Sequence, residues 1–261
     1  QLINSKKYTH DEVLAHAALL EGDATIVMFN YQQGGGAGAV DISTSPVMVK
    51  MIAASLPMQM SSPQHPVMAA APDYMKQSLI FPYQQGFLFV SALRSAGMTW
   101  ARIRDVYRDP PQSTEQILHP KKYYPVRDLP SRVSLPSSVL AGMTRSWTGV
   151  AGEFHARQLL LRALSIVDST QAAEGWDGDM TIVAEKGKSK VALTLSTWDS
   201  VEDAAQFAKA LKRREGLLAR KEVHLQVSHS EMNVTFAFSK DADLAVRAVK
   251  EASLSGKVIR R

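Results

Sequence analysis

Beyond residue 178 the hydropathy pattern of this 261-residue chain changes its period, and that change limits the possible folds more than any other feature. Residues 180–184 and 190–197 alternate apolar and polar, which is the two-residue period of strands. Lys186, Gly187 and Lys188 between them supply the turn of a hairpin. Asp199 stands three residues before Glu202, the spacing of a helix N-cap, and Ala205, Phe207, Ala208 and Leu211 then recur at helical intervals. Residues 223–228 and 233–238 have the pattern of two further strands, and residues 241–253 that of a closing helix. The order ββαββα predicts a small antiparallel sheet with both helices packed on one face.

Upstream the period is helical. Residues 11–32 place Leu14, Ala17, Ala18, Ile26, Met28 and Phe29 on a buried helix that Gly22 interrupts. Residues 43–60 predict a Met-rich helix, 58–72 an irregular crossing, and 74–80, 87–95 and 99–107 three short helices. Residues 124–136, punctuated by proline, predict extended chain, and 147–165 a longer helix holding Phe154, Leu159, Leu160, Leu161 and Leu164. The fold class is therefore α+β in two parts, a mostly helical region 1–170 and a ββαββα domain 171–261, with the boundary near 167–178. No internal repeat longer than the ββα unit is evident.

Several chemistries are excluded. The chain has no cysteine, so disulfides, thiolate metal sites and a thiol nucleophile are absent. No apolar run approaches the roughly 20 residues of a membrane-spanning helix. The run Gly34-Gly35-Gly36-Ala37-Gly38 lacks the Lys-Ser/Thr pair and preceding strand of a phosphate loop and predicts a mobile loop instead. A net charge of +5 is mildly basic. Its one local cluster, Lys212, Arg213, Arg214, Arg220 and Lys221, falls at a helix end where cations favour the dipole, so no nucleic-acid partner is expected. The start at Gln1, without an initiator Met and inside helix-like sequence, is expected of a fragment or a processed product. The lack of cysteine fits an oxidising envelope compartment or secretion.

Residues 110–123 read PPQSTEQILHPKKY and hold the densest local signal. Ser113 precedes Gln116 by three residues, the capping-box spacing, and Pro120 stops the short helix behind His119. Glu115, Gln116, His119 and Tyr123 are thereby drawn together. This segment resembles the STEQILHP-x-KY stretch of a largely uncharacterised bacterial family of zinc-metallopeptidase-like proteins, related in pattern to the gluzincins. Two further stretches are similar to that family and occur in the same order. One is Glu21-Gly22-Asp23-Ala24-Thr25. The other is Gly175-Trp176-Asp177-Gly178-Asp179, followed by Trp198-Asp199 and by Asp203-Ala204-Ala205-Gln206-Phe207.

The resemblance implies a peptidase whose zinc is held by two His of an HExxH helix and by a Glu from a following helix. No HExxH occurs here, and none of the seven histidines forms an HxxxH pair. By that resemblance the HExxH segment precedes Gln1, Glu21 is the metal ligand, and Asp23 steadies the neighbouring backbone or the ligand itself. Zinc then binds only with the upstream ligands, and this C-terminal portion alone is inactive. An ionised Glu inside an apolar helix is costly unless paired or metal-bound. By analogy of chemistry His119 and Tyr123 are oxyanion donors and Glu115 orients the imidazole, while Glu153 is a further candidate for the cleft. Trp176 and Trp198 are expected as core anchors, and Asp177 and Asp179 as turn residues. The partners implied are a peptide or protein and the upstream segment of the same protein. The alternative is a non-enzymatic binding or assembly module of the bacterial envelope. No Gly-x-Ser-x-Gly elbow or EF-hand ligand series is present.

Overall fold

In the computed structural model, described over residues 7–34, 41–60, 66–161 and 163–261, the chain divides into two compact units, Gln1–Asp128 and Leu129–Arg261. The boundary expected near 167–178 falls inside the second unit, because a strand before it pairs into the sheet that follows it. The glycine run at 34–38 lies outside the described residues beyond Gly34, as do residues 61–65 of the expected irregular crossing.

The first unit is helical. Helix α1 is His10–Gln32, α2 Pro46–Met60, α3 Pro66–Ala70, α4 Asp73–Ser95, α5 Trp100–Val106 and α6 Thr114–Leu118. A capping box starts α1: the Thr9 hydroxyl accepts from the Glu12 N–H at 3.1 Å, and the Glu12 carboxylate accepts from the Thr9 N–H at 2.7 Å. The core is the seam between α1 and α4, where Ala15, Ala18, Leu19 and Ile26 are sealed with Phe87, Phe89, Val90 and Leu93. Gly22 and Gly86 meet in that seam. A Cβ on Gly22 would collide with the Gly86 carbonyl, and one on Gly86 with the Ala18 carbonyl. Only glycine admits so close an approach of two helices.

Helix α4 runs through Pro82, where the sequence predicted two shorter helices. Proline in a helix interior costs about 3 kcal/mol. Here Phe81, Pro82 and Phe87 are all buried, and the apolar burial along both turns offsets the lost hydrogen bond. A second anchor is Asp41. Its carboxylate accepts from Arg94 at 2.7 Å, the Trp100 indole at 3.2 Å and the Ser43 N–H at 3.0 Å, while the Arg94 guanidinium stacks over Trp100. Burial alone would raise this carboxyl, but the hydrogen bonds from Ser43, Arg94 and Asn30 hold it down to about 2.

In the second unit, strands β1 (Arg132–Ser134) and β2 (Thr144–Gly149) precede helices α7 (Gly152–Leu160) and α8 (Ile166–Ala173). The single helix expected over 147–165 is thus a strand carrying Trp147 and the start of a helix pair. Then follow β3 (Trp176–Lys186), β4 (Ser189–Trp198), α9 (Val201–Lys212), α10 (Glu215–Ala219), β5 (His224–Ser230), β6 (Asn233–Ser239), α11 (Ala242–Ser255) and β7 (Lys257–Ile259). The sheet is antiparallel with strand order β2-β3-β4-β6-β5, and β1 pairs with β7. The cap of α9 is Ser200, whose hydroxyl accepts from the Asp203 N–H at 3.1 Å; Asp199, expected there, instead donates its N–H to the Gly175 carbonyl at 2.7 Å.

The α+β class and the ββαββα order hold. The two helices, expected on one face, lie on opposite faces. Leu193 pairs with Ala237 and packs with Ile182 under α11, through Leu244, Ala248 and Val249. The alternate positions Trp198, Val234 and Phe236 pack with Trp176 under α9, through Phe207 and Leu211. Strands β4 and β6 are buried on both sides, so each side needs a cover.

Gly86→Ala is expected to destabilise the chain by about 1–3 kcal/mol, the usual cost of forcing atoms into a packed seam. Gly216→Ala in α10, whose added Cβ meets nothing within 4 Å, is expected to be neutral or slightly stabilising. Urea unfolding of both variants checks this, and equal midpoints would contradict it.

Candidate functional site

Glu21 lies half-buried on α1, beside the glycine that touches α4. Tyr83, one turn before Gly86 on α4, lies close enough to the Glu21 carboxylate to feel its charge. Burial, then the Glu21 charge, raise the Tyr83 phenol above its ordinary range. Asp23 is held separately, accepting from the Tyr107 hydroxyl at 2.7 Å. Burial and then Asp23 raise Tyr107 as well. Residues two apart on a helix do not share a face, so the two acids have different tyrosine partners. Neither tyrosine was singled out in the sequence. The available signal was the pair of glycines inside apolar helices, because a close crossing at Gly22 and Gly86 brings their neighbours together.

The 113–123 segment is a buried polar seam. Ser113, Thr114, Glu115 and Gln116 are all sealed from solvent. Ser113 caps α6 by accepting from the Gln116 N–H at 3.3 Å. The Gln116 side chain accepts from the Gln112 N–H at 2.8 Å, one residue earlier than a capping box requires, and donates to the Asp128 carbonyl. Thr114 gives both its N–H, at 3.1 Å, and its hydroxyl, at 2.6 Å, to the buried Asp11 at the start of α1. The Glu115 carboxylate accepts from the Lys122 ammonium at 2.7 Å, and Lys122 also meets Asp128 at 3.1 Å. The hydroxyl of Tyr123 donates to the Asp109 carbonyl at 2.7 Å, and its ring lies edge-on to Phe89 under the Arg127 guanidinium. Burial pushes this phenol up to about 12, with Arg127 opposing and Asp109 adding to the rise. His119 is half-buried, and its N–H closes the helix on the Glu115 carbonyl at 2.7 Å. Glu115, His119 and Tyr123 are thus gathered in one segment, with Glu115 and Tyr123 each holding a partner that fixes the local chain.

The Gly175–Asp179 motif is likewise structural, and its acids sit in β3, not in the turn expected of them. Trp176 and Trp198 are core anchors as expected, 1% and 0% exposed. Asp177 accepts from the Ser131 hydroxyl at 2.7 Å and N–H at 3.1 Å and meets Arg260 at 3.4 Å, so it ties β3 to both chain segments of the β1–β7 pair. Gly178 is required because a Cβ there would strike the Ser131 carbonyl. Asp179 accepts from the Ala151 and Gly152 N–H groups at the start of α7, each at 2.8 Å, and from the Trp176 indole at 3.1 Å. It borders a small chamber of about 30 Å³ whose lining includes His155, Thr194, Trp198 and Phe207. Glu153 is fully buried on α7 and pairs with Arg157 at 2.8 Å.

Among the described residues no group of three or more His, Cys, Asp or Glu is placed to hold a metal ion. No described helix is long and apolar enough to cross a membrane.

Residues 140–255 match the profile of a domain of unknown function, DUF8575. The match covers the sheet from just before β2 to the end of α11 and includes none of Glu21, Glu115, His119 and Tyr123. No curated protein matches the chain, and no solved structure does.

The donors on Asp179 are all neutral, and burial pushes its carboxyl up to about 6 despite them. Its folded pKa lies above the ordinary 3.8, so the folded state binds the proton more tightly. The stabilisation from that proton is complete below pH 3.8 and is lost as pH rises through 6. The loss is about 3 kcal/mol by linkage. Asp179→Asn is expected to flatten this part of the stability–pH profile in urea unfolding, and an unchanged slope would contradict the assignment.

Proposed function

We propose that this chain is part of a zinc-metallopeptidase-like protein in which Glu21 supplies the carboxylate ligand. The two His ligands and the general base belong to a segment preceding Gln1. The observation that supports this reading is the Glu21 carboxylate itself, half-buried beside a helix crossing and near the Tyr83 phenol. Zinc, once bound, would polarise a peptide carbonyl and activate water. Glu21 would hold the metal, with the Tyr83 phenol near it. His119 is retained as the oxyanion donor. Tyr123 and Glu115 fit that chemistry less well, because their polar ends already serve Asp109 and Lys122. A peptide or protein is the substrate class, and the cysteine-free composition fits the envelope or secretion. By itself the chain is inactive.

A second reading, a non-enzymatic binding or assembly module, is favoured by one observation. The polar side chains of 113–116 are used to join α6 to the start of α1 and to Asp128. Metal analysis of the full-length gene product separates the two. The peptidase-like reading expects one zinc per chain, lost in Glu21→Gln and kept in Glu115→Gln, with the second variant lowering the melting temperature. A product without zinc, or zinc that survives Glu21→Gln, would overturn it in favour of the binding module.

A further inference from the structure

The sheet of the second unit ends on β5, and along β5 itself this edge lacks the charges, proline and bulges that usually blunt edges. β5, HLQVSHS, has no Lys, Arg, Asp, Glu or Pro and pairs with β6 without a register shift. The opposite edge, β2, is broken in register between Arg145 and Trp147.

The direction of the β5 backbone follows from its turn. Glu231 and Met232 form a two-residue hairpin loop with Glu231 at φ 51°, which makes Ser230 and Asn233 a hydrogen-bonded pair. Ser228, Gln226 and His224 then also face β6. The other side of β6 agrees, since the Trp198 N–H donates to the Met232 carbonyl at 2.9 Å. Leu225, Val227 and His229 therefore point their N–H and C=O groups outward. Val223, the residue before them in that outward series, already gives its N–H to the Leu218 carbonyl at 3.1 Å. Among the described residues none takes the N–H groups of the other three.

The ends of β5 differ in charge. Arg220, Lys221 and Glu222 precede it with a net positive charge, and Glu231 follows it. An antiparallel neighbour of the same sequence sets each basic end against an acidic one, whereas a parallel neighbour sets like against like.

We propose that β5 is a self-pairing edge, through which two copies of this chain join antiparallel about Val227 into one continuous sheet. Each Val227 then exchanges both backbone hydrogen bonds with Val227 of the other copy, and Leu225 does the same with His229. The side chains agree with that register. Val227 meets Val227 and Leu225 meets His229 on the α9 side, and Gln226 meets Ser228 on the α11 side, with no like charges opposed. The interface is isologous and closes on itself, so it makes a dimer and not a fibre.

Analytical ultracentrifugation of the 261-residue chain across a concentration series tests this. The wild type is expected to dimerise. Val227→Lys and Val227→Glu, whose stems can follow the half-buried valine out to the edge, each oppose like charges at the two-fold. Each is expected to raise the dimer dissociation constant about tenfold or more, and an equimolar mixture of the two is expected to restore the dimer. A wild type monomeric throughout, a dimer indifferent to both variants, or a mixture that stays monomeric would overturn the proposal. Should the variants misfold by circular dichroism, amide exchange of the wild type decides. Slower exchange at Leu225, Val227 and His229 with rising concentration supports the pairing, and exchange independent of concentration overturns it.

Discussion

The helical unit depends on two backbones touching without side chains between them. Gly22 on α1 and Gly86 on α4 bring the helices close enough that a methyl group on either would collide with the backbone of the other helix. Glu21 is next to the first glycine and Tyr83 is one turn before the second, so the same approach places a phenol against a carboxylate. At ordinary helix spacing, roughly 8–10 Å between axes, the two side chains would have more room to turn away into water. The tolerance of α4 for Pro82 belongs to the same seam, because the burial that the crossing provides outweighs one missing hydrogen bond.

The polar residues of both units share a design. Most of the buried and half-buried acids are met by backbone N–H groups or by a partner from another element. Asp11 holds Thr114, Asp41 holds Arg94 and Trp100, Asp177 holds Ser131, and Asp179 holds the start of α7. A buried acid left without partners would cost several kcal/mol. Supplied with them, each becomes a joint that fixes where one segment crosses another. The environments still differ: Asp41 is held low by Arg94 and Ser43, and Asp179, with neutral donors only, is pushed up.

The strands of the second unit were legible because their two-residue alternation is local, and so was α11. The distribution of its helices over two faces was not legible. It depends on Trp198, Val234 and Phe236 being buried as fully as Leu193 and Ala237, which alternation cannot reveal when polar residues such as Thr194 and Ser196 are buried too. Trp147 looked helical beside Phe154 and Leu159 because no local signal marks where β2 ends and α7 begins; the Asp179 carboxylate, 27 residues past Gly152, sets that start. The Ser113 cap was visible in the spacing, but the link from the adjacent Thr114 to Asp11 was hidden by a sequence separation of 103 residues. Glu21 was visible as an acid in an apolar helix, and its partner Tyr83 was concealed in the same way.

The central claim is that the glycine crossing holds Tyr83 near Glu21, and a double-mutant cycle tests it most directly. Glu21→Gln, Tyr83→Phe and the double variant, compared by urea unfolding, are expected to show a coupling of about 0.5 kcal/mol or more. The same cycle built on Gly86→Ala should lose that coupling as the helices part. Additive effects in the wild-type background, or a coupling that persists when the crossing is opened, would contradict the account.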